Sequence, residues 1–195
     1  MGKVNHKMMI KKFAKITLNK YLNLQDEEKE VVDFIIQEGI KENENLVIKG
    51  SVFEPYDMWN ISYNNMIFIK ENLQGENFLD CIKLMYGIGD YHLEKATVFN
   101  IFSVYQYLIN KLQEIIQIEN DQIDNEKDPD EENAGIGMFE KYGFYNEIRS
   151  LTDGDKTKED YYLSLPYIDV FLELTYKSNL IKFSNKLQEI KSKKQ

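Results

Sequence analysis

Hydrophobic positions in this chain recur mostly at helical spacing. The longest such stretch spans residues 93–120, where Val98, Ile101, Phe102, Tyr105, Leu108, Ile109, Leu112, Ile115 and Ile116 keep a three-and-four rhythm. That rhythm predicts a wide apolar helix face that must be covered in a folded protein. A second helix is predicted over 26–39, with Asp26, Glu27 and Glu28 in its first turn, where the helix dipole favours acids, and Val31, Phe34 and Ile35 on one face. A third is predicted over 76–86, where Phe78, Ile82 and Met85 share a face and Gly87 stands in the C-cap position. Residues 58–73, with Trp59, Tyr63, Met66 and Ile67, fit a fourth. Leu46-Val47-Ile48 and Val52-Phe53, separated by a Gly50-containing turn, predict a short β hairpin.

Beyond residue 118 the pattern breaks. Residues 119–132 hold eight acids, Lys127 and Pro129, with Ile123 as the sole apolar residue. Such a segment reads as an exposed, self-repelling linker. Helical signals then resume. Residues 136–142 predict a helix ending near Tyr142-Gly143, and 144–151 a second, closed by the turn Thr152-Asp153-Gly154-Asp155. Thr157-Lys158-Glu159-Asp160 resembles a capping box, and Ser164-Leu165-Pro166 restarts the chain into a last helix with less regular apolar spacing. The expected fold is therefore mainly α, a helical bundle of about six to eight helices with at most a small β hairpin near 46–53. The expected division is an N-terminal mostly helical domain over 1–118 with a basic leading segment, an acidic linker over 119–134, and a C-terminal helical module over 135–195. The hexapeptide Asn110–Ile115 recurs letter for letter at 185–190, but the residues upstream do not match, so it reads as shared helix vocabulary and not as a duplication.

Charge adds a further pattern. The net charge is −9, yet residues 1–25 hold six lysines and no acid, and residues 177–195 hold six lysines against Glu189. The interior between them carries a net −20, which repels a phosphate backbone and confines any nucleic-acid affinity to the two ends. No arginine-and-aromatic arrangement for base stacking accompanies those lysines, so nucleic acid is not the expected partner. No apolar run approaches a membrane span, and no signal-peptide core follows the first lysines. The expectation is a soluble intracellular protein.

Candidate chemistry is sparse. Cys81 with His6 or His92 is the sole Cys–His combination in the sequence, and Cys81 sits on an apolar helix stripe where cysteine serves as a small hydrophobe. Asp90, His92 and Glu94 alternate and would converge on a metal if extended, but no second histidine or cysteine lies nearby. Asp153–Ser164 breaks the EF-hand pattern at its sixth and twelfth positions, and the short Gly-x-Gly pairs at 87–89 and 135–137 lack the rest of a phosphate loop. No catalytic residue, cofactor or metal ligand is therefore nominated, and the expectation is a non-enzyme.

The C-terminal residues Met138-Phe139-Glu140-Lys141-Tyr142-Gly143-Phe144-Tyr145, then Ile148, Leu151, Gly154-Asp155, Leu165-Pro166-Tyr167 and Val170-Phe171, resemble small helical assembly proteins of tailed bacteriophages, above all the tail assembly chaperones that accompany the tape-measure protein. The resemblance is loose over residues 78–175 and strongest over 136–175. It implies a virion-morphogenesis protein working through protein–protein contacts, as a chaperone or a minor structural or connector component. Its partners would be phage structural proteins or a second copy of itself. Its place would be the bacterial cytoplasm during assembly, or the virion. Phe139, Tyr142, Phe144, Tyr145, Tyr167 and Phe171 are the candidate partner anchors, because aromatic side chains dominate interface hot spots. The competing expectation puts Phe139 and Phe171 inside the C-terminal module with some tyrosines at its rim. The alternative function is a regulatory or nucleic-acid-binding helical domain using the Lys-rich termini.

Overall fold

A computed structural model describes residues 15–123 and 135–193. Nine α-helices and two 3-10 turns occur among these residues with one two-stranded antiparallel sheet, so the fold is mainly α with a small hairpin. The basic residues 1–14 and the acidic residues 124–134 lie outside the described residues. The chain divides into two compact units, one drawn from residues 1–57 and 68–112 and the other from 58–67 and 113–195. In this division residues 58–67 group with those after 112, and residues 68–112 with those before 58.

In the first unit, α1 (Leu18–Leu22) is capped by Thr17, whose side chain accepts from the Lys20 amide at 3.4 Å. Thr17 also forms an antiparallel bridge with Thr97, flanked by Leu18 N donating to Ala96 O and Val98 N donating to Ile16 O. Thr97 in turn accepts from the Asn100 amide at 3.3 Å and so opens the long helix α6 (Val98–Gln122). This pairing sets the helix start at 98, five residues later than the apolar pattern predicts. The short α5 (Asp90–Leu93) ends just before this gap, which a turn and the Thr97 bridge fill. Helix α2 (Asp26–Gly39) has the expected bounds and buries Val32 with Val98, beside Ile16, Leu24 and Phe102.

Strands β1 (Leu46–Ile48) and β2 (Ser51–Phe53) pair Leu46 with Phe53 and Ile48 with Ser51. Lys49 and Gly50 both have positive φ, 51° and 88°, the pattern of a two-residue type I′ turn. Leu46 and Ile48 point inward, while the Asn100 amide group donates to Val47 O and the Tyr86 hydroxyl to Glu44 O. These two side-chain bonds hold a hairpin that is too short to persist alone.

Helix α4 (Phe78–Tyr86) buries Cys81, Ile82, Met85 and Tyr86, and Gly87 ends it in the left-handed conformation (φ 61°). A Cβ at Gly87 would stand 2.6 Å from the Tyr56 hydroxyl oxygen. Gly87→Ala is therefore expected to cost about 1–2 kcal/mol, from the left-handed backbone and the displaced Tyr56 ring together. At Gly75 a Cβ meets only an ordinary contact, and Gly75→Ala should stay within about 0.5 kcal/mol of the parent. Urea midpoints of the two variants check the difference. Along α6, Val98, Ile101, Leu108 and Leu112 are buried in this unit as their spacing predicts, and Val104, outside the predicted stripe, is buried with them.

In the second unit, Ser62 accepts from the Asn65 amide at 3.3 Å and caps α3 (Tyr63–Asn72), which starts five residues later than predicted. The preceding segment is held by backbone pairing instead. Tyr63 N donates to Leu165 O, Tyr167 N to Ile61 O and Ile168 N to Trp59 O, at 2.8–2.9 Å, around a Ser62–Pro166 bridge. Helix α7 (Phe144–Leu151) keeps its predicted bounds and buries Ile148 and Leu151. Thr152 closes it, fully buried, with its hydroxyl donating to Ile148 O. The capping box expected at Thr157 is not what forms. Asp155 accepts from the Thr157 amide at 3.0 Å and caps a 3-10 turn, Lys156–Lys158, which leads into α8 (Glu159–Ser164). Pro166 then stands at the N-cap of α9 (Tyr167–Ser192).

Candidate partner-binding surface

The structure separates the six nominated aromatics into two groups. Tyr167 and Phe171 are core, 2% and 4% exposed, one turn apart on α9. Their rings pack on Trp59, with centroids at 5.4 Å for Tyr167 and 5.3 Å for Phe171, and Tyr63 stacks on Tyr167 at 6.1 Å. The backbone bonds joining residues 59–63 to 165–168 bring these four rings together. As partner anchors, Tyr167 and Phe171 are corrected by this burial: the surface they would offer is already spent on Trp59 and Tyr63.

Phe139, Tyr142, Phe144 and Tyr145 are exposed, together with Met138. Phe139 is 52% exposed, which overturns its expected place inside the module. The reason is local. Residues Ile136–Tyr142 adopt a 3-10 turn, not an α-helix, so side chains three apart stack on one side instead of spreading round a 3.6-residue turn. Phe139 and Tyr142 accordingly lie with ring centroids 6.4 Å apart, and the Lys141 ammonium sits 5.0 Å from the centre of the Tyr142 ring. Gly135 and Gly143, at φ 88° and 49°, bracket the turn. The Asn146 side-chain amide donates to Phe139 O at 2.7 Å and ties the turn to α7. Five large apolar side chains within eight residues thus face solvent on a hydrogen-bonded scaffold.

Comparison with protein-family models, curated proteins and solved structures finds no match to this chain. Among the described residues no helix is long and apolar enough to cross a membrane, and no group of three His, Cys, Asp or Glu side chains is placed to hold a metal ion.

The other sequence candidates take ordinary structural places. Asp90, His92 and Glu94 do not lie on an extended strand: Asp90–Leu93 is a helical turn, so alternate side chains diverge. Asp90 pairs with Lys83 at 2.7 Å, and Asp80 joins it from the other side at 2.5 Å. These two carboxylates hold the Lys83 ammonium above its usual range. His92 packs edge-on against Phe53 and Tyr91. Cys81 is enclosed in α4, and burial, aided by Asp80, pushes its thiol up to about 11, away from nucleophilic use.

Sequence reasoning passed over a second exposed apolar surface. From residue 179 to its end at Ser192 every side chain of α9 is exposed, and these include Leu180, Ile181, Phe183, Leu187 and Ile190. The signal was present in the spacing, where Leu180, Phe183, Leu187 and Ile190 repeat at the same three-and-four steps that mark the buried stripe of α6.

Proposed function

We propose that this is a non-enzymatic virion-morphogenesis protein of a tailed bacteriophage that works through protein–protein contacts, as a tail assembly chaperone or a minor structural component. The observation that carries the reading is the exposed aromatic run Met138–Tyr145. Apolar groups this dense on a surface mark an interaction site, and they coincide with the residues on which the likeness to tail assembly proteins is strongest. The aromatics supply large, stiff contact area at low entropic cost. Tyr142 and Tyr145 add hydroxyls that suit an interface rim. A long apolar helical client, such as a tape-measure protein, presents the kind of surface such a run would cover before assembly.

Co-expression with the tape-measure protein of a tailed phage tests the proposal. The chain should keep that protein soluble and elute with it as a stoichiometric complex. The Phe139→Ser, Tyr142→Ser, Phe144→Ser, Tyr145→Ser variant should lose at least about tenfold of the complex, with its thermal midpoint near that of the parent because all four positions are exposed. Equal recovery with the variant would reject the aromatic surface. Salt-sensitive nucleic-acid binding without any protein complex would favour the regulatory alternative.

A further inference from the structure

Helix α9 buries Tyr167, Val170 and Phe171 in its first turns, then leaves its last 14 positions exposed. Those last turns have mixed helix propensity, with Leu180, Lys182, Lys186, Leu187, Gln188 and Glu189 as good formers. Asn179, Ser184, Asn185 and Ser192 are weak helix formers, and a helix of this length in water is marginal without a packing face. Yet an apolar seam is present. Tyr176, Leu180, Phe183, Leu187 and Ile190 follow one another at steps of four, three, four and three, the alternation that keeps side chains on a single line facing another helix. All five are exposed.

The repeated hexapeptide gives an internal comparison. In α6 the segment Asn110–Ile115 buries its leucine and isoleucine, Leu112 and Ile115 being 2% and 4% exposed. In α9 the same six letters at 185–190 leave Leu187 and Ile190 uncovered. One sequence of residues thus serves as a packed helix face at one place and stands unpartnered at the other.

Charge identifies the occupant. With Leu180 and Leu187 at one seam position and Tyr176, Phe183 and Ile190 at the other, the positions that flank the seam are Lys177, Asn179, Ser184, Lys186, Lys191 and Lys193. Lys177 is engaged by Asp153 at 3.0 Å and by Ser150 O. The remaining flanking charges, Lys186, Lys191 and Lys193, are all positive. Parallel pairing of two copies would set Lys186 of each against Lys191 of the other, and antiparallel pairing would bring Lys191 towards Lys177. Flanking charges decide which helices pair, and like charges there select against self-association.

We propose that the Tyr176–Ile190 face of α9 is the docking site for one amphipathic helix of a different protein, whose apolar seam is flanked by Glu or Asp, in a two-stranded left-handed coiled coil. This face is separate from the aromatic run at 138–145, and its assignment stands whether or not the protein serves virion assembly.

The test uses the intact chain and synthetic probe peptides of about 21 residues, three heptads, with Leu and Ile at the seam and either Glu or Lys at every flanking position. At roughly 50 mM salt the Glu peptide should bind at least about tenfold tighter than the Lys peptide. The Leu187→Ser, Ile190→Ser variant should lose about the same factor, while the quadruple variant at 139–145 should bind like the parent. Hydrogen exchange of residues 179–193 should be fast in the free chain and slow on adding the Glu peptide. Three results would overturn the proposal. Equal or absent binding of the two peptides would remove the charge argument. A dimer of the chain that dissociates in the Leu187→Ser, Ile190→Ser variant would make the occupant a second copy. Protection of 179–193 in the monomer before any peptide is added would show the face already covered by its own chain.

Discussion

Replacing Phe171 by alanine is expected to destabilise the second unit by about 3–5 kcal/mol, the largest effect of any single truncation considered for that unit. Phe171 is nearly enclosed, and its ring meets both Trp59 and Tyr167, so removing it opens a void between two rigid rings that cannot collapse into it. The loss combines the transfer energy of the ring with the unfilled cavity. Trp59 is the sole tryptophan of the chain and a member of the same ring cluster, which makes its fluorescence a local reporter. Urea titrations followed at Trp59 should show a large fall in midpoint for Phe171→Ala. Phe139→Ser, at a site half open to water, should change stability by no more than about 0.5 kcal/mol. Comparable losses at the two positions would mean that the division of these aromatics into core and surface is wrong.

Alkaline pH should unfold the chain through its buried tyrosines. Tyr63 is enclosed, with its hydroxyl donating to Glu147, and its pKa lies well above the ordinary phenol value, through burial first and the charge of Glu147 second. Tyr86 is raised too, by burial and then by Tyr107 and Glu44. A raised folded pKa means the folded state holds the proton more tightly than the unfolded chain. The stabilisation is therefore complete below the unfolded value near 10 and is lost as pH climbs beyond it. Each such tyrosine should contribute a fall of about 1.4 kcal/mol per pH unit once the unfolded chain is ionised. Between roughly pH 10 and pH 12 each then accounts for about 2–3 kcal/mol, Tyr86 in the first unit and Tyr63 in the second. Tyr63→Phe, Tyr86→Phe should start lower at neutral pH, having lost two hydrogen bonds, but should show a flatter alkaline slope. An unchanged slope in the double variant would assign the alkaline transition to other groups, such as the lysines.

Much of the first unit was legible because one force dominated each stretch. The α2 and α4 bounds follow from acids in the first turn and from a glycine at the C-cap, and the α6 stripe from uninterrupted spacing. Boundaries shifted where backbone pairing between distant residues took over. Thr17 with Thr97, and Ser62 with Pro166, each spend extended residues just before a helix starts. The caps at Ser62 and Thr97 were visible as residue types, but apolar residues upstream at 58–61 and 93–96 masked them. The surface was harder to read. Phe139 and Phe144 look like core residues under an α-helical period, and only the 3-10 geometry turns Phe139 outward. Tyr167 and Phe171 look equally available as anchors until Trp59, more than a hundred residues earlier, is brought against them. In α9 the spacing appeared irregular because two demands share one helix, a packed face at 167–171 and a drifting seam beyond 176.

The enclosed thiol of Cys81 has a practical consequence. It is the single cysteine of the chain, it lies inside α4, and its raised pKa suppresses the reactive thiolate. A thiol reagent reaches it through opening of the helix that contains it, so the rate of modification is a stopwatch for that opening, read from one covalent label with no engineered site. The same protection leaves a cysteine introduced on the outside as the fast-reacting attachment point. A dye or cross-linker can then be placed on the native fold with the natural sulfur left untouched.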